Sequence, residues 1–161
     1  MNTDKNLKEA FAGESQANRK YLAFAKKAED EGYASAAKLF RAAAEAETIH
    51  AHNHLKALGA VKSTAENLQE GISGETFEFE NMYPPMIEEA KKDGRSDAQR
   101  SFYFASEAEK VHAKLYKEAL ESLASKEVRD YYLCPVCGNI EKAVPEKCVI
   151  CGAKGEVFIK Y

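Results

Sequence analysis

No run of apolar residues in this chain approaches the length of a membrane span, and the opening stretch MNTDKNLKEAF holds no apolar signal core. The expectation is a cytoplasmic protein with no membrane partner. A basic patch with interleaved aromatics is also missing, and with a formal charge of −3 the chain is not expected to bind nucleic acid. Cysteine is absent before Cys134, and all four cysteines crowd between there and Cys151 as two CxxC pairs. In an intracellular chain this reads as metal binding before disulfide formation. What is present is 161 residues, 45% hydrophobic, enough for one compact domain and a small appendage.

Residues 1–127 are organised around Glu47-Thr48-Ile49-His50 and its echo, Glu109-Lys110-Val111-His112. Glu and His three apart on a helix share one face, so both can grip one metal ion. Around the first pair, Ala36, Phe40, Ala43, Glu47, His50, His54 and Ala57 follow four-three spacing; around the second, so do Ala98, Phe102, Ala105, Glu109, His112, Tyr116 and Ala119. Both pairs are therefore expected to point inward. A buried carboxylate without a partner neutralises itself or costs several kcal/mol, so a positive charge is expected between the helices.

A first helix is expected from about Asp4 to Glu31, stopped by Gly32, with Glu14 on its inward stripe. A second runs from about Tyr33 to Leu58. Ser63-x-x-Glu66 reads as a capping box opening a third, which carries Glu75 and Glu78 and must bend or restart at Pro84-Pro85. Ser96 or Asp97 is expected to cap a fourth, ending near Glu127. Each half thus offers a helix with Glu and then a helix with Glu-x-x-His: Glu14 precedes Glu47 by 33 positions, and Glu75 precedes Glu109 by 34. Ferritin-like di-iron bundles are built from that ligand set. Glu14, Glu47, Glu75, Glu78 and Glu109 carry five negative charges against four from two ferrous ions, leaving minus one. Oxygen-rich ligation with two imidazoles suits iron or manganese.

Past about Val128 the helical period stops. Cys134, Cys137, Cys148 and Cys151 can close a tetrahedral four-sulfur site, and spacing alone leaves zinc and iron equally open. A neighbouring centre that turns over electrons needs a one-electron feeder, which favours iron.

Over essentially the whole chain these residues resemble the rubrerythrin family, a ferritin-like di-iron domain fused to a rubredoxin-like domain. The resemblance rests on FAGESQANRKY, AEAETIH, GETFEFENMYP, AEKVH and the knuckles CPVCG and CVICG. It implies an all-α four-helix ferritin-like bundle over residues 1–127 and a rubredoxin-like four-cysteine metal domain over 128–161. It further implies that Glu14, Glu47, Glu109 and His112 hold iron permanently, with Glu47 and Glu109 bridging and Glu75 on one ion. Glu78 and His50 would be alternative ligands of the other, and Tyr21 and Tyr83 would hydrogen-bond ligand carboxylates. The implied activity is reduction of hydrogen peroxide to water, with electrons entering through the four-cysteine iron from a rubredoxin or an NAD(P)H-dependent rubredoxin reductase. Two departures from the family pattern stand beside the sulfurs: Val149 where proline is usual, and Asn139 where an aromatic is common.

The link from Gly59 to Thr64 spans ~20 Å at full stretch, whereas parallel second and third helices would require climbing ~37 Å. Either the topology is plain up-down or the second half of each chain packs against the first half of another; of the two, a helix-swapped homodimer is expected, its di-iron sites drawing ligands from two chains. His52 and His54 are read as solvated or packing residues, and Tyr131, Tyr132, Phe158 and Tyr161 as packing for the small domain. Besides the peroxidase, two other classes fit: iron oxidation and storage, marked by a cage assembly, and a zinc-ribbon adaptor, marked by a colourless protein.

Overall fold

The structure, a computed structural model, describes residues 2–161. The chain forms two compact units, one ending at Lys62 and the other running Ser63–Tyr161. Among the described residues no helix is long and apolar enough to cross a membrane.

In the first unit, α1 (Thr3–Asp30) packs along α2 (Ala34–Ala57). Asn2 caps α1 through the Asp4 N–H at 3.1 Å, and Gly32, at φ +83°, ends it as expected from sequence. The helices meet on alanines: Ala25, Ala28, Ala37, Ala44 and Ala51 are buried. Small side chains let the backbones approach, and Asn18 exploits this by donating to the Ala44 carbonyl (2.7 Å) and to Thr48 Oγ1 (2.8 Å).

The second unit opens on the expected capping box, with the Ser63 hydroxyl accepting from the Glu66 N–H and the Glu66 carboxylate accepting from the Ser63 N–H. Here α3 (Thr64–Phe77) gives way to a π-helical turn, Glu78–Met82, before α4 (Tyr83–Lys92) resumes the course. The Tyr83 N–H reaches the Glu78 carbonyl, a five-residue span. Pro84 and Pro85 follow at once, and neither has an N–H to donate, so regular α bonding is interrupted where they enter. Of the bend or restart expected at the prolines, the structure shows a restart, with the π turn as the added feature that joins the two helices.

Both α3 and α4 pack against α5 (Ser96–Glu121). Neither Ser96 nor Asp97 caps α5, contrary to expectation. The N-cap is Arg95, whose guanidinium pairs with the Asp97 carboxylate at 2.9 Å. The helix also ends before Glu127, closing in a short 3-10 turn, Leu123–Ser125, and a left-handed Lys126.

The tail is a three-stranded antiparallel sheet in the order β2 (Ile140–Glu141), β1 (Tyr132–Leu133), β3 (Ile159–Lys160). Gly138 and Gly152 follow Cys137 and Cys151 at φ +83° and +76°, so each knuckle turns back on itself at a residue without Cβ. Within this unit the tail is held to α5 by a Lys142–Glu118 ion pair and by a hydrogen bond from His112.

Candidate metal centres

Among the described residues, three groups of side chains converge in positions that could hold a metal ion: Glu14, Glu47 and His50 in the first unit, and Glu75, Glu109 and His112 and then the four cysteines in the second. Within each group the ligand atoms lie within 4.8 Å of one another.

In the first group α1 supplies Glu14 and α2 supplies the Glu-x-x-His pair. His50 Nδ1 lies 2.9 Å from Glu47 and 3.9 Å from Glu14. The Glu47 side chain is 17% exposed but that of His50 is 53% exposed, so only half of the pair points inward. A two-helix hairpin covers one side of each helix, and His50 stands on the rim of that contact. Tyr21 stacks obliquely on Phe40 nearby.

The second group is the more buried. His112 Nδ1 lies 2.6 Å from Glu109 and 3.9 Å from Glu75, with His112 and Glu109 both 16% exposed. Burial drives the Glu75 pKa up to about 7, helped by its hydrogen bond with Glu109 and the Glu109 charge. Burial also raises Glu109, but its bonds to His112 and Glu75 and the His112 charge together outweigh this and hold it below the ordinary carboxylate range. His112 is raised despite burial, by its bonds to Glu109 and to the Gly138 carbonyl. The raised Glu75 and His112 favour keeping protons within the group to offset its carboxylates, a role a bound cation would take over. Glu78, at the start of the π turn, bonds Glu75 but lies outside the three-ligand group, its pKa raised first by burial and then by the Glu109 charge. Tyr83 packs on Phe102, and its hydroxyl is raised by burial and by Glu78, Glu109 and Glu75.

His112 carries the contact that sequence reading missed. Its Nε2–H donates to the Gly138 carbonyl at 2.8 Å, fixing the tautomer and leaving Nδ1 for the carboxylate side. Every residue has a carbonyl, so no sequence signal could have named this partner. The bond joins the acidic group to the Gly138–Asn139 peptide, one residue past Cys137 of the same chain.

The cysteines are free, with Cys134 and Cys148 buried. Sγ separations are 3.6 Å for Cys134–Cys151 and 3.5 Å for Cys137–Cys148. A tetrahedral thiolate site with ~2.3 Å bonds has edges of about 3.8 Å, so the donors fit such an ion. Cys148 is held down to about 7 by the backbone N–H groups of Cys151 and Ile150, against its burial, while burial pushes Cys137 well up.

Fold and sites together define a helical carboxylate–histidine metalloprotein carrying a four-cysteine metal domain. The rubrerythrin family profile matches residues 5–120. Rubrerythrin-2 of Clostridium acetobutylicum is 39% identical, over 94% of this chain and 92% of that protein. Nigerythrin of Nitratidesulfovibrio vulgaris is 37% identical, over 99% of this chain and 86% of that one. A solved structure of nigerythrin in a mixed-valent state aligns at a TM-score of 0.61 and 38% identity, covering all of this chain and 87% of that one. The chain belongs to the rubrerythrin family, ferritin-like di-iron oxidoreductases with a rubredoxin-like metal domain.

Proposed function

We propose that this protein is a peroxidase that reduces hydrogen peroxide to water, H2O2 + 2 e⁻ + 2 H⁺ → 2 H2O. The residues expected to act are those of the two acidic groups together with Glu78, Tyr21 and Tyr83. Iron bound at these sites would supply the electrons, singly at the four cysteines and two at once at the carboxylates, so that the O–O bond is broken without releasing hydroxyl radical. An all-ferrous state has been solved for nigerythrin, which supports iron over zinc here. The functional division is expected at 1–127 and 128–161.

The observation that carries this reading is the hydrogen bond from His112 to the Gly138 carbonyl. It gives the four-cysteine domain a short covalent and hydrogen-bonded route to a ligand of the acidic group, which an iron store has no need of. The donor to that domain would be a rubredoxin or an NAD(P)H-dependent rubredoxin reductase. In the acidic group, Glu75 is positioned to hold a proton near neutral pH and Glu109 to orient His112.

The working unit is proposed to be a helix-swapped homodimer. Each unit of the chain gathers three ligands, half of what a dinuclear centre needs. Among the described residues the only fully buried apolar side chains are alanines and two cysteines, while Phe24, Leu39, Ile49 and Phe77 are exposed. A chain this rich in apolar residues that covers none of the large ones fully is consistent with a core completed by a second copy.

Iron-loaded, fully reduced protein mixed with peroxide or with dioxygen under stopped flow tests the activity. Faster reoxidation by peroxide is the expected result. Equal or faster reoxidation by dioxygen would sink the reading.

A further inference from the structure

Asn139 is 0% exposed and touches three of the four cysteines. Its carbonyl accepts from the Cys134 N–H at 2.8 Å, and its own backbone N–H donates to Cys137. Its side-chain Nδ2 lies 2.8 Å from Glu141 Oε1 and 3.8 Å from Cys148 Sγ, the second within reach of an N–H···S bond. An amide nitrogen has two hydrogens, and here there are two acceptors for them.

The orientation follows from chemistry. Turning the amide over would aim Oδ1 at a carboxylate and a thiolate, both acceptors, whereas the observed rotamer aims both hydrogens at them. The consequence is that Oδ1 is buried without a partner. An apolar side chain here would fill the space without leaving that oxygen stranded. The donation to sulfur is the feature that an apolar residue could not supply.

We propose that the Asn139 side-chain amide, aimed by Glu141, donates to Cys148 Sγ and thereby raises the reduction potential of a four-cysteine iron centre. Reduction adds negative charge to the sulfurs, and a donor facing one of them favours the more negative state. The proposal rests on the reading of this centre as redox iron only for its second half.

Two measurements on the full chain test it. With cadmium-113 at the four cysteines and nitrogen-15 labelling, one Asn139 side-chain amide proton is expected to show scalar coupling to the metal through Cys148 Sγ. No coupling would overturn the proposed bond, whatever metal the protein uses in life. With iron loaded, Asn139→Leu is expected to move the ferric–ferrous equilibrium about tenfold toward ferric, ~59 mV lower for one electron. An unchanged or higher midpoint overturns the tuning role. If the variant fails to bind iron, the cadmium coupling in the unaltered protein still decides.

Discussion

Among single side chains, Glu75 gives the clearest pH signature. Its pKa in the metal-free fold is raised to about 7, so the fold binds this proton more tightly than the unfolded chain does. That contribution to stability is fully present below the ordinary carboxylate pKa near 4.5 and is lost as pH rises through about 7. Metal-free protein is therefore expected to lose urea resistance over that window, and Glu75→Gln to flatten the decline; equal slopes would refute the assignment. Asn18 gives a second test. Its two bonds pin α2 to α1, and Asn18→Ala removes the donor to both the Ala44 carbonyl and Thr48 Oγ1, leaving only the bond from the Thr48 hydroxyl to that carbonyl. A loss of ~1–3 kcal/mol is expected in denaturant titration. At this scale the sequence was informative about which acids and imidazoles gather, because such residues in an apolar stripe demand explanation. It misplaced His50, expected inward but half-exposed, since periodicity says which face a residue occupies and not what covers that face.

Among elements, the helices were legible from four-three spacing, from the Ser63–Glu66 box and from the glycines that end them. The π turn was not. One extra residue in a helical turn shifts the pattern by less than the uncertainty of an element boundary, and the only cue was Pro84-Pro85. The turn sets the register between α3, which carries Glu75, and α4, which carries Tyr83. Deleting the exposed Asn81 would restore regular α bonding and rotate one helix against the other by about 100°. Since α3 and α4 both pack on α5, they could no longer do so in their present registers. A cost of ~1–3 kcal/mol is expected, with loss of the Tyr83–Phe102 stacking in NMR spectra. Undiminished stability would show that the turn is not what sets the register.

For the whole molecule, swapping predicts complementation. Suppose one chain carries Glu47→Ala and its partner Glu109→Ala. If centres are built from the first unit of one chain and the second unit of the other, one centre combines both lesions and the other has none. Co-expressed, purified mixed dimers should then recover about half of normal peroxidase activity, although each variant alone is inactive. No recovery would mean that each chain builds its own centre.

The His112–Gly138 bond adds a consequence for populations of chains. If electrons enter through the tail as proposed, a tail bonded to the imidazole of its own chain serves one centre, and damage to it would starve that centre and leave the other supplied. Output in a mixture of intact and clipped chains should therefore fall in simple proportion to the clipped fraction, instead of with the square of the intact one. Partial proteolysis would dim the protein gradually and never switch it off at a threshold.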